Sequence, residues 1–143
     1  MVDRAILARK VAAIRDAAAR ITEVLPPTAD AFVADRTARE VVTLNLFLAL
    51  QESAALAMHW LADEGTVVPA TYGEAFTALS DRGAIDRDLA GRLRAAVGLR
   101  NLIAHQYGVI DFRRVFLVAR DDLRDLVTFA QQLSTRAGAD PPR

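Results

Sequence analysis

The apolar residues Leu7, Val11, Ile14, Ala18, Ile21 and Leu25 recur at alternating steps of four and three, the period of one buried helical face. The spacing predicts a helix over about 3–24, stopped by Pro26-Pro27. A short connection, about 28–35, then leads to a long second helix over about 36–64 that ends at Gly65. Thr71 and Glu74 form a capping box, which starts a short helix reaching about Arg82, before Gly83. Asp86 is placed to cap a fourth helix that ends near Gly108. Asp111 is placed to cap the last one, in which Phe112, Phe116, Ala119, Leu123, Leu126, Ala130 and Leu133 restore the four-three spacing.

Such spacing in helices joined by short loops predicts near-antiparallel packing. The expected fold is all-α, an up-and-down bundle of four main helices plus a short accessory helix. Alternating apolar and polar runs are too short for a sheet. With no internal repeat or linker, residues 1–137 are expected to form one domain and 138–143 a frayed tail.

The second segment carries the strongest apolar run. Between positions 41 and 62 only Glu52 is charged. Asn45, Gln51, Ser53 and His59 interrupt the run, and no flanking charge asymmetry favours insertion in lipid. A helix buried on several sides, one of them against a second subunit, is expected instead of a membrane span.

Composition narrows the picture. Of 143 residues, 52% are hydrophobic and only 6% aromatic, a helix-forming balance. The formal net charge is zero, so no global field draws in nucleic acid. Lys10 is the sole lysine among 18 basic residues, an arginine bias typical of GC-rich coding. Cysteine is absent, which excludes disulfides, thiolate chemistry and cysteine-based zinc sites. The first residues lack a signal-peptide layout, so a cytoplasmic location is expected.

Chemistry concentrates in Arg100-Asn101-Leu102-Ile103-Ala104-His105-Gln106-Tyr107, which holds one of the two histidines and one of the two tyrosines. Guanidinium beside imidazole can act on phosphate esters without a metal. Along the fourth helix the buried seam runs Leu89, Leu93, Ala96, Arg100, Ile103, Tyr107, so Arg100 takes an apolar position and requires a partner there. Tyr107 falls within about 20° of Arg100 on a continuous helix, whereas His105 lies about 140° around it. One ideal helix does not converge Arg100 and His105 on a small group. Convergence needs helix distortion near Gly108, or a second copy across a two-fold axis. Spacing alone leaves a structural role open as well, since a histidine near a helix C-terminus is favoured by the macrodipole.

Other residues read as structural. His59, beside Trp60, is expected to be a core or interface histidine, with no second ligand at metal spacing. Gln51 or Glu52 is placed to pair with Arg100 or another buried arginine, or to bond across a dimer interface. Asp121-Asp122 and Arg124-Asp125 form a charged, solvated face. Arg92, Arg94, Arg113 and Arg114 flank the motif, either as guides for an anionic substrate or as solvated surface. No carboxylate spacing indicates a magnesium site.

The string Arg100-Asn101-x-x-x-His105-x-Tyr107 resembles the R-x4-H-x-Y signature of HepT-type toxins in the HEPN superfamily, which are helical, dimeric, metal-independent ribonucleases. The resemblance extends to Val68-Pro69-Ala70-Thr71-Tyr72-Gly73-Glu74-Ala75-Phe76, to Gly98-Leu99 and to Val109-Ile110-Asp111, and the order of helices agrees. It implies that His105 serves as general base or acid around the ribose 2′-hydroxyl and the leaving 5′-oxygen. Arg100 would hold the phosphate, and Asn101 would orient substrate or imidazole. The product would be a 2′,3′-cyclic phosphate, from single-stranded or loop RNA, with no metal and no cofactor. The resemblance further implies a homodimer and a minimal nucleotidyltransferase (MNT) antitoxin that adds AMP to Tyr107, where a bulky anion would repel the RNA phosphate. The alternative is a catalytically silent HEPN dimer that serves as a scaffold for a nucleotidyltransferase; a third is a purely structural helical dimer.

Overall fold

The computed structural model describes residues 2–105 and 107–139. Helix α1 (Arg4–Val24) starts at Asp3, whose carboxylate accepts from the backbone N–H of Ala5 and Ile6 at 2.9 and 3.2 Å. It buries Leu7, Val11, Ile14, Ala18 and Ile21, the stripe expected from spacing, together with Ala17.

The expected connection at 28–35 is a six-residue helix, α2 (Ala29–Ala34), capped by the Thr28 hydroxyl. Its one buried residue is Phe32, which meets Phe112 and Phe116 at ring-centroid distances of 6.4 and 5.9 Å. A single anchoring ring shows no period, so the pattern of apolar positions could not reveal this helix.

Asp35 then caps α3 (Arg36–Asp63) through a 3.1 Å bond from the Ala38 N–H. α3 is apolar and long enough to cross a membrane by hydropathy alone, yet it forms the centre of the bundle, packed by α1 and by the helices that follow. Val42, Leu46, Ala49, Leu50, Ala54, Leu56 and Leu61 are buried on several sides. The helix stops where Gly65 takes φ of 75° and the Thr66 N–H closes back on the Leu61 carbonyl at 3.0 Å.

Helix α4 (Tyr72–Asp81) is the short accessory, capped by Thr71 through the Glu74 N–H at 3.2 Å. Helix α5 (Arg87–His105) follows, then a 3-10 turn (Tyr107–Val109) and α6 (Phe112–Leu117), capped by Asp111. A π turn (Val118–Asp122) joins α6 to α7 (Leu123–Ala139). The main helices close a ring in which α1 meets α3, α3 meets α5, α5 meets α7 and α7 meets α1. α4 covers α3 and α5, and its Phe76 packs edge-on against Phe129 of α7 at 5.5 Å. Among the described residues there is no strand, so the all-α bundle expected from the sequence is the fold.

Three boundaries differ from expectation. α5 ends at His105, ahead of Gly108. The last helical stretch contains a π turn, whose extra residue rotates the following face, so Leu123 is only half-buried while Leu126, Phe129 and Ala130 are buried. Gly138 and Ala139 still belong to α7, and 140–143 of the expected tail lie outside the described residues.

Candidate active site

The last turns of α5 carry the signature. Leu89, Leu93, Ala96 and Ile103 are buried as the seam requires, and Arg100, in the same seam, is half-buried. Its partners come from three directions. The Nε–H donates to Gln51 Oε1 of α3 at 2.7 Å, and Nη1 donates to Asn101 Oδ1 at 3.0 Å. The guanidinium carbon lies over the rings of Phe47 of α3, at 5.6 Å, and Tyr72 of α4, at 5.3 Å. A cation over aromatic faces is stabilised without losing its charge.

Of the two residues flagged for that pairing, Gln51 is the one that makes it. Glu52 turns instead to Lys10 of α1, with 3.0 Å between charges. Phe47 and Tyr72 were not singled out from sequence. They leave no periodic signal there, although Tyr72 falls inside the stretch that resembles the HepT-type proteins.

His105 closes α5 and is exposed. No hydrogen bond joins Arg100 to His105 among the described residues. Asn101 is exposed and already bonded to Arg100. Tyr107 opens the 3-10 turn that follows α5, and its expected angular alignment with Arg100 falls outside the described residues. Its side chain lies outside the described residues, and so does Gln106.

Beside the signature, α3 and α5 border a groove of about 360 Å³ lined by Glu40, Thr43, Leu44, Phe47, Ile103 and Ala104. Leu44 is 58% and Leu48 43% exposed. Two leucines one turn apart on an open face are unusual for a helix otherwise central to the core. Phe47 borders both this groove and the Arg100 guanidinium. His59, on the same helix, is exposed, so of its two expected placements, core or interface, the core one does not hold.

The flanking arginines are largely engaged elsewhere. Arg92 pairs with the buried Asp125 of α7 at 3.0 Å, and the Asp125 hydrogen bond, then its charge, raises the Arg92 pKa. Arg94 lies across α4, where a Cβ on Gly73 would stand 3.1 Å from its Cγ, and donates to Thr77 Oγ1 at 3.2 Å. Arg113 pairs with Asp30 of α2. Arg114 lines a crevice with Leu102 and Val109 beside the 3-10 turn. Asp122, in the π turn, has its pKa raised by burial and by the neighbouring Asp125 and Asp121 charges. Asp86, expected to cap α5, has a carboxylate that accepts from Gln132 of α7 at 3.0 Å. Among the described residues no group of three or more potential ligands is placed to hold a metal ion.

A profile of the family described as Ribonuclease HepT-like matches residues 14–133. The chain belongs to the HepT-like ribonuclease family. Its HepT-like bundle is 28% identical over 124 residues to the mRNA nuclease HepT of Shewanella oneidensis, covering 87% of this chain and 92% of that protein. Among solved structures it is similar to a tri-AMPylated Shewanella oneidensis HEPN toxin in complex with its MNT antitoxin. There the TM-score is 0.83 and the identity 27%, over 94% of this chain and 99% of that one. A cytosolic Bacillus subtilis protein, YutE, shares the fold with a TM-score of 0.85 at 12% identity, over 99% of this chain and 96% of that one.

Proposed function

We propose that this HepT-like chain is the toxin of a toxin–antitoxin pair, a metal-independent endoribonuclease that acts as a homodimer and is silenced when an MNT-type nucleotidyltransferase adds AMP to Tyr107. The observation that carries the reading is the state of Arg100. It is a half-buried cation held by amide oxygens and aromatic rings on the helix that ends at His105. A guanidinium so placed suits a phosphate whose charge grows during in-line attack.

In this mechanism His105 takes the proton of the ribose 2′-hydroxyl, and the 2′-oxygen attacks the adjacent phosphorus. The P–O5′ bond breaks, the 5′-oxygen receives a proton, and a 2′,3′-cyclic phosphate remains. Arg100 stabilises the equatorial oxygens, and Asn101 keeps the guanidinium edge in register. The groove lined by Leu44 and Phe47, with the exposed Leu48 on the same helix, is the surface on which a second copy would sit, closing a cleft that holds Arg100 and His105 twice. The relatedness to an mRNA nuclease and to a toxin solved with its antitoxin supports the same assignment.

The test is cleavage of a single-stranded RNA by the wild type and by His105→Ala, in the presence of a chelator, with the ends mapped. Cyclic-phosphate ends from the wild type and none from His105→Ala are expected. Cleavage that survives His105→Ala, or that the chelator abolishes, overturns the mechanism. Harmless expression of a well-folded wild type with no cleavage would favour the silent scaffold.

A further inference from the structure

We propose that Gln51 is a positioning residue for Arg100, and that its being an amide rather than a carboxylate keeps the full guanidinium charge available to the RNA phosphate. The proposal rests on the nuclease reading for its activity arm only. Among the described residues, both hydrogen-bond acceptors of Arg100 are amide oxygens, Gln51 Oε1 at 2.7 Å and Asn101 Oδ1 at 3.0 Å. Two of the five guanidinium N–H groups are thus engaged, and three, on the Nη1 and Nη2 side, remain for a ligand.

The acidic neighbour of Gln51 in sequence is diverted. Glu52, the next residue on α3, is paired to Lys10 at 3.0 Å, so its charge is balanced away from Arg100. Phe47 and Tyr72 add attraction over the ring faces without contributing a counter-charge. A carboxylate at position 51 would accept the same Nε–H bond while cancelling the charge that a phosphate is to meet. Orientation and charge are therefore separable at this single position.

The experiment compares wild type, Gln51→Glu, Gln51→Leu and Arg100→Ala in two measurements. One is the pH profile of RNA cleavage; the other is the affinity for a 2′-O-methyl oligonucleotide, which cannot be cleaved. Gln51→Glu keeps size and acceptor, and is expected to lower kcat about tenfold or more at neutral pH. Its activity relative to wild type should recover as pH falls through the carboxylate range, because protonation restores a neutral acceptor. Gln51→Leu keeps the charge but frees the guanidinium, and should lower kcat at every pH with little change in KM. Both Gln51→Glu and Arg100→Ala should weaken oligonucleotide binding at neutral pH, again with acid recovery for Gln51→Glu alone.

A Gln51→Glu variant that cleaves and binds as wild type does overturns the proposal, and so does a loss that ignores pH. Absence of cleavage by the wild type would instead reject the nuclease reading. The oligonucleotide measurement then decides the proposal, which falls if Arg100→Ala or Gln51→Glu leaves binding unchanged.

Discussion

Arg100 and His105 share one helix and do not meet. Arg100 points into the junction of α3 and α4, bonded to Gln51 and lying over Phe47 and Tyr72, while His105 stands exposed at the end of α5. Five residues along a helix turn the chain about 140°, and the helix runs unbroken between them. A single copy thus presents the guanidinium and the imidazole on different sides, so the proposed chemistry calls for a second copy to complete a site.

If each cleft takes Arg100 from one copy and His105 from the other, inactive variants should complement. Mixing Arg100→Ala with His105→Ala in equal amounts, after exchange of subunits, should restore about a quarter of wild-type cleavage, since half the dimers are mixed and each carries one intact site. Mixtures as inactive as either variant would show that both groups come from the same copy.

The groove beside the signature is expected to be the dimer face. Leu44→Asp places a charge among Phe47, Ile103 and Ala104 on an exposed position, where it costs the monomer little but is unfavourable once a partner covers it. Sedimentation should show a monomer with unchanged helical content and with cleavage lost. A variant that stays dimeric would place the interface elsewhere.

Tyr107→Phe removes the hydroxyl that would accept AMP and leaves the ring. Cleavage should remain at the wild-type level, while growth arrest should no longer be relieved by a cognate nucleotidyltransferase. Full relief of the variant would remove Tyr107 from the control of activity.

The π turn gives a stability prediction with a definite sign. Burial first, then the Asp125 and Asp121 charges, raise the Asp122 pKa, so the folded chain binds this proton more tightly than the unfolded one. Stability from this group is therefore fully present below the ordinary carboxylate pKa and is lost as pH rises through the raised one. Asp122→Asn should raise the melting temperature at neutral pH, with the gain vanishing in acid. An equal gain at all pH values would trace the effect to packing instead.

Much of the architecture was legible along the chain. The stripes of α1 and α5, the Thr71 cap and the Gly65 and Gly83 stops are local: each depends on residues within one or two turns, and side-chain period and capping chemistry act at that range. α2 was not legible, because its existence rests on Phe32 meeting Phe112 and Phe116 some 80 or more positions away. The π turn was hidden for a related reason. The last segment keeps the four-three spacing in sequence, but bundle geometry buried Val115 and Phe116 before the turn and Val118 and Ala119 within it, and shifted the face after it.

The signature divides in the same way. The residue types and their order, from Arg100 through His105 to Tyr107, belong to the sequence alone, and so does the resemblance that attached ribonuclease chemistry to them. What an arginine in an apolar seam does with its charge belongs to the tertiary structure. Gln51 and Glu52 are neighbours with equal reach, and nothing in their sequence position chooses between them. The crossing of α1 over α3 put Lys10 beside Glu52, and the crossing of α5 over α3 put Arg100 beside Gln51. Pairing across helices is set by how the cylinders lie against one another, and only the folded bundle fixes that.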